Sequence, residues 1–268
     1  LAGGAQLLEL DVRDASAVDE AFADVRPELV FHLAAQIDVR RSVSDPALDA
    51  EVNVLGAINL LAAARATGAR RVINTSTGGG LYGDADLLPT PEDHPIRSLA
   101  PYGQSKYAAE GYFELYTRLH GLSSVSLRYG NVYGPRQDVH GEAGVVAIFC
   151  GCLVEGQTPH IYGDGRQTRD WVDVADVVAA NLLAADSQVT GPVNIARGEE
   201  TSVLDLVAAL GDAGAVHGLA LPEPEFLPMR AGEVSRSRLD ITRAREELGW
   251  APSVALRDGL ERILAGLL

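Results

Sequence analysis

The sequence is short of positive charge. Its 22 lysines and arginines stand against 37 aspartates and glutamates, giving a net charge of −15. Such a chain repels a phosphate backbone, which argues against nucleic acid as a partner. A small anion stays compatible wherever a few arginines converge. Cysteine is scarce as well. Cys150 and Cys152 share one apolar stretch, GVVAIFCGCLVEG, and no second pair completes a metal site. They read as structural thiols, and without a disulfide framework they point to a cytosolic, cytoplasmic protein. The six histidines are scattered without ligand spacing, so no metal is expected. No apolar run reads as reaching the roughly eighteen residues of a membrane span, so no membrane partner is expected. Internal repeats and low-complexity segments are absent too.

The rest of the composition is ordinary for a globular chain. Of 268 residues, 47% are apolar and 22% charged, enough for a substantial core. The pattern alternates strand and helix. AQLLELDV predicts a strand, SAVDEAFADV a helix and LVFHLAA a short buried strand. DPALDAEVNVLGAINLLAAARATG predicts one long helix, with Asp45 as its N-cap, Pro46 in its first turn and Gly68 at its end. RRVINTST predicts a strand, followed by a glycine-rich turn, the helix carrying PYGQSKYAAE, and the strand SSVSLRYGNV. This order predicts an α/β fold: a Rossmann-like, doubly wound parallel sheet covered on both faces.

Past about residue 134 the rhythm breaks. PRQDVHGEAG reads as loop, VVAIFCGCLVEG as helix, PHIYGDGRQTRD as turns, WVDVADVVAANLLAA as helix, PVNIA as a short strand and PEPEFLP as a proline-rich linker. A smaller C-terminal lobe interleaved with the sheet is expected there. A sheet of this type binds ligands at the carboxyl ends of its strands. A dinucleotide domain should open on a strand, a glycine-rich turn and a helix. LAGG is not that fingerprint, and AQLLELDV reads as a third strand. An N-terminal βαβ unit is therefore expected to be missing from this sequence.

PYGQSKYAAE sets Tyr102 four residues before Lys106, on one face of a helix. A phenol with an ordinary pKa near 10 is a poor base at neutral pH. A neighbouring ammonium favours its phenolate. Alone, the pair reads as a surface coincidence. It does not stand alone: LDVRD at 10–14, HLAAQ at 32–36, VNVLGAINLL at 52–61, TSTGGGLYG at 75–83, RYGNVYGPRQD at 128–138, YGDGRQTRDWV at 162–172 and RAGEVSRSRLD at 230–240 accompany it.

With these blocks in order, the chain resembles the extended short-chain dehydrogenase/reductase family, the nucleotide-sugar epimerases and dehydratases, and within it most of all the NAD-dependent UDP-hexose 4-epimerases. The resemblance implies NAD as cofactor, a UDP-sugar as substrate and a homodimer. It implies 4-epimerisation of UDP-glucose or UDP-galactose, with the N-acetylated forms also in reach, through a 4-keto sugar. An epimerase of a UDP-uronic acid and a non-catalytic NAD-binding regulator are the alternatives. It assigns residues 1–133 to NAD, with 171–197 returning to that domain, and 134–170 and 198–268 to the nucleotide sugar.

Residue by residue, the resemblance implies that Tyr102, Lys106 and Thr77 are catalytic. Asp11 and Val12 would flank the adenine. Leu33, Ala34, Ala35 and Gln36 would run beside the pyrophosphate and ribose, and Asn53 would be a polar position on the cofactor side; Tyr102 and Lys106 also belong to this set. Tyr102 and Thr77 would touch the sugar, Asn131, Arg169 and Arg230 the phosphates, Glu233 the uridine ribose and Tyr162 the uracil. Ser237 would sit beside the C2 substituent. Where dehydratases carry Asp-Glu after the threonine, this chain has Gly78 and Gly79, which argues against dehydration.

Overall fold

The computed structural model describes residues 4–138, 144–229 and 234–268. Several helices begin where the sequence offers capping oxygens. The Asp14 carboxylate accepts from the amides of Ser16 and Ala17 and opens α1, Ala15–Val25. Strand β1 is Leu29–His32, and Asp38 caps the short α2, Val39–Ser44. Asp45 accepts from the Leu48 amide and Pro46 takes the first turn of the expected long helix. Gly68 ends that helix with φ +78. The helix is not uniform: α3, Pro46–Ala50, and α4, Gly56–Thr67, are joined by a π-helical turn, Glu51–Leu55.

Strand β2, Arg71–Thr77, runs parallel to β1 with Leu29 opposite Arg71 and His32 opposite Asn74. Thr77 caps the four-residue α5, Gly78–Leu81, and α6 is Pro101–His120. Then come β3 Ser123–Tyr129, β4 Asn131–Tyr133, α7 Val145–Glu155, β5 His160–Tyr162, β6 Thr168–Arg169 and β7 Trp171–Asp173. The chain continues through α8 Val174–Asp186, β8 Gly191–Ile195, β9 Thr201–Ser202, α9 Val203–Val216, β10 Glu225–Leu227, α10 Thr242–Leu248 and α11 Leu256–Leu267. The largest sheet has the strand order β1-β2-β3-β8. Three two-stranded pairings accompany it: β5 with β10, β4 with β7, and β6 with β9, the last antiparallel. This is the Rossmann-like α/β architecture that the strand–helix rhythm predicts.

Six local readings need correction. Trp171–Asp173, read as the start of a helix, is strand β7, and the glycine-rich turn after β2 winds into the short helix α5. AQLLELDV forms no strand. Among the described residues its backbone has no strand to pair with, so strand-like residues stay irregular, with Leu7 69% exposed. PHIYGDGRQTRD is not only turns, because its two ends pair as β5 and β6. PEPEFLP is not a free linker, since Glu225–Leu227 pairs in register with His160–Tyr162. Finally, Pro46–Thr67 has a mean hydropathy of 1.4, and by length and composition it is long and apolar enough to cross a membrane. Its burial gives that composition another cause. Ala57, Leu60, Leu61 and Ala64 pack with Val72 and Phe113 in a hydrophobic core.

The chain divides into two compact units. The first is Leu1–Ser76, Ala100–Ser126 and Ser187–Pro192, and holds the core just described. The second is Thr77–Leu99, Leu127–Asp186 and Val193–Leu268. Phe149, Leu153, Trp171, Leu206 and Leu264 are among the residues of its core. Cys150 lies in that core as a free thiol and Cys152 is half-buried.

Candidate active site

Lys106 is the only lysine in the sequence, and it is 4% exposed on α6. Burying an ammonium disfavours its charge, and this drops its pKa to about 8; the carboxylates of Glu110 and Asp49 oppose the fall. Tyr102 stands one turn earlier on the same helix, half-buried. His32, at the end of β1, is buried and stacks on Phe113 with ring centroids 6.0 Å apart. Desolvation, with Lys106 adding to it, pushes its pKa down to about 3, so the ring is neutral near pH 7. The sequence reading missed His32, Asp49 and Glu110. Glu110 was detectable, because it lies four residues after Lys106 on the same helix.

The segment after β1 is held from the long helix. The Gln36 amide donates to Asn53 Oδ1 at 2.8 Å, and Asn53 Nδ2 donates back to the Gln36 carbonyl at 3.0 Å. Gln36 Nε2 donates to Asp49 Oδ1 at 2.8 Å, and the amide of Asp38 donates to Gln36 Oε1. Asn53 Nδ2 also reaches Ser105 Oγ at 3.0 Å, next to Lys106. Asn53 sits on the π-helical turn and is buried. Leu33 and Ala34 are exposed, and Ala35 and Gln36 are half-buried.

Asp11 is exposed, and the guanidinium of Arg13 grips its carboxylate through Nε at 3.0 Å and Nη2 at 2.6 Å. These bonds hold its pKa at about 2. Arg13 also lies 3.6 Å from Glu51. Val12 packs on the start of α4, where a Cβ on Gly56 would come within 2.7 Å of its methyl group.

In the second unit, Thr77 Oγ1 accepts the Gly80 amide at 3.1 Å as the cap of α5, which leaves its own proton free to donate. A Cβ on Gly78 would run into Leu239. One on Gly79 would stand 3.6 Å from Asn131 Oδ1, a buried acceptor without a hydrogen-bond partner. Tyr162, Gln167, Met229 and Val234 help line a cavity of about 220 Å³. Arg169 Nη1 donates to the carbonyls of Thr168 and Val234, at 2.8 and 2.7 Å. Asp170 is fully buried and accepts the amides of Arg197, Gly198 and Leu239. Burial still raises its pKa to about 6 against those bonds. It thereby fixes the segment carrying Ser237, which is buried. Arg230 and Glu233 lie outside the described residues. Among the described residues no three histidines, cysteines or carboxylates come together as a metal site.

The model of the GDP-mannose 4,6 dehydratase family matches residues 2–263. A UDP-glucose 4-epimerase of Mycolicibacterium smegmatis is 48% identical over 258 residues, covering 96% of this chain and 81% of the relative. The crystal structure of a UDP-glucose 4-epimerase from Thermotoga maritima with UDP-glucose superposes with a TM-score of 0.95. It shares 42% identity over 100% of this chain and 85% of its own. The UDP-glucose 4-epimerase of Thermus thermophilus, in complex with NAD, gives a TM-score of 0.92 at 40% identity, covering 99% and 86%.

Proposed function

The chain belongs to the GDP-mannose 4,6 dehydratase family of extended short-chain dehydrogenases/reductases, and from that premise we propose that it is an NAD-dependent isomerase inverting C4 of a UDP-hexose, UDP-glucose or UDP-galactose, through a 4-keto sugar. The observation that carries the reading is the α6 pair: a half-buried tyrosine one turn from a buried ammonium. The similar enzymes named above are the second support.

The residues of the first unit suit a dinucleotide. Asp11, ionised down to a pH of about 2, offers carboxylate lone pairs to the adenine amine, with Val12 beside the ring. Leu33, Ala34, Ala35 and Gln36 would lie along the cofactor, and Asn53 would act on it through the Gln36 backbone it clamps. Lys106 would bond the nicotinamide ribose. NAD, when bound, supplies reversible uptake of the C4 hydride.

The chain's own residues do the rest. Tyr102 takes the proton of the C4 hydroxyl, and the Lys106 ammonium favours the phenolate that this requires. The free Thr77 proton is assigned to a sugar hydroxyl. Asn131, Arg169 and Arg230 anchor the diphosphate, where charge-assisted bonds are strong, while Tyr162 and Glu233 hold the uridine. Anchoring the diphosphate permits the keto sugar to turn over without leaving. Residues 1–133 with 171–197 are proposed to serve NAD, and 134–170 with 198–268 the sugar nucleotide. A cytoplasmic location is part of the proposal, resting on the free thiols of Cys150 and Cys152.

A homodimer through residues 46–67 and 104–120 is also proposed. On these two stretches Leu55, Tyr112 and Leu119 are exposed and available to a second copy, whereas Leu60 and Leu61 are buried in the unit's own core. Light scattering at micromolar concentration tests it, and a monomer overturns it. The activity is tested by incubating the full-length protein with UDP-glucose, UDP-galactose and a UDP-uronic acid and separating the products. Interconversion of the first two alone is the expected result, and turnover of only the uronic acid overturns the substrate assignment.

A further inference from the structure

Lys106 is a buried cation, and a buried cation needs a fixed anion. Two carboxylates act on it. Glu110 follows it by one turn on α6, as helical spacing allows. The other, Asp49, comes from α3, which packs against α6, and it is fully buried. Asp49 is held by one oxygen only. Its Oδ1 accepts from Gln36 Nε2 at 2.8 Å and Asn53 Nδ2 at 3.2 Å, while Oδ2 has no hydrogen-bond partner. A carboxylate with one oxygen bare and no access to water is costly unless a cation lies near it. Among the described residues, the other charged or titratable groups around this site do not supply that cation. His32 is neutral, Arg40 and Arg41 on α2 are exposed, and Glu51 on the π-helical turn is an exposed acid that carries no cation.

We propose that Asp49 is the buried counter-charge of Lys106, a positioning residue that keeps the ammonium protonated and is itself aimed by Gln36 and Asn53. The frame that aims it is continuous. Gln36 and Asn53 hold Asp49 Oδ1, and Asn53 also reaches Ser105 Oγ beside Lys106. The π-helical turn begins two residues after Asp49 and presents Asn53 to this frame. The inference rests on the proposed function only where activity is concerned, because the charge relation is a property of the protein alone.

Lysine is useful here as a reporter, since Lys106 is the only one in these 268 residues. Protein labelled with ¹³C at the lysine ε-carbon gives a Lys106 signal, identified by its loss in Lys106→Met, whose shift follows protonation. In Asp49→Asn the midpoint should fall by about half a pH unit to one unit, because an anion favouring the charged form is gone. Asn53→Ala leaves the charge in place and should move the midpoint less. An unchanged midpoint in Asp49→Asn, or an equal fall in both variants, overturns the proposal. If Asp49→Asn does not fold, the double variant Asp49→Asn/Lys106→Met should, because it removes anion and cation together. A double variant that stays unfolded also overturns it. For the enzyme, the alkaline limb of kcat/KM should move down with the midpoint. A moved midpoint without any epimerase activity would sink the functional reading and leave the charge pair standing.

Discussion

Gln36 and Asn53, seventeen residues apart, hold each other by two hydrogen bonds: amide to Oδ1 at 2.8 Å and Nδ2 to carbonyl at 3.0 Å. One side chain thus satisfies both backbone groups of a residue in the segment that follows β1. Asn53→Ala leaves a donor and an acceptor unpaired in a part-buried place. A loss of about 2 kcal/mol is expected. It should appear as a lower urea midpoint with an unchanged slope, together with weaker NAD binding. An unchanged midpoint would mean that water replaces the clamp without cost.

Tyr102→Phe removes the proposed base and little else. Turnover of UDP-galactose should fall on the order of 10²–10⁴-fold. Bound NAD, released by acid and quantified, should remain at the parent level. A variant that keeps more than about half of kcat would assign the proton transfer to another group.

The pH dependence follows from burial. Lys106 titrates at about 8 and not at its ordinary 10.5. Its ammonium is present below that value and lost above it. Since the charged form is the one that favours the Tyr102 phenolate, kcat/KM should decline as pH rises through about 8. A profile flat to about pH 9.5 would separate Lys106 from the titration, with the rate at each pH corrected for unfolding.

Much of this was legible in the sequence, for physical reasons. Asp45, Pro46 and Gly68 delimit the long helix because capping is local chemistry. The Tyr102–Lys106 face was legible because helical spacing is fixed. Non-local relations were not. Nothing in DPALDAEVNV says that Asp49 and Asn53 turn toward Gln36, or that a π-helical turn carries Asn53. The AQLLELDV run misled because strand propensity describes a half-buried pleated surface and cannot supply a pairing partner. The apolar content of Pro46–Thr67 is set by its burial as much as by any other cause.

Which sugars fit turns on Ser237, which we propose sits beside the C2 substituent of the hexose. An arginine beside it could have filled the space next to the C2 substituent. Both arginines are engaged elsewhere: Arg236 pairs with Glu200 at 2.8 and 2.7 Å, and Arg238 Nε donates to the Gly198 carbonyl at 2.8 Å. The backbone around Ser237 is also fixed, because the Thr90 amide donates to the Arg238 carbonyl and the Leu239 amide to Asp170. On the proposed placement of Ser237, its small side chain at a fixed position would leave room for an N-acetyl group. The protein should therefore turn over UDP-N-acetylglucosamine and UDP-N-acetylgalactosamine as well as the plain hexoses. Ser237→Tyr should remove the N-acetylated activity by steric clash and leave UDP-galactose largely intact, since crowding acts only on the bulkier ligand. Retained UDP-galactose turnover also reports that the variant folds. The measurement is kcat/KM for both substrate types in the parent and the variant. Equal losses on both substrates, or a parent without N-acetylhexosamine turnover, would remove Ser237 from the gatekeeper position.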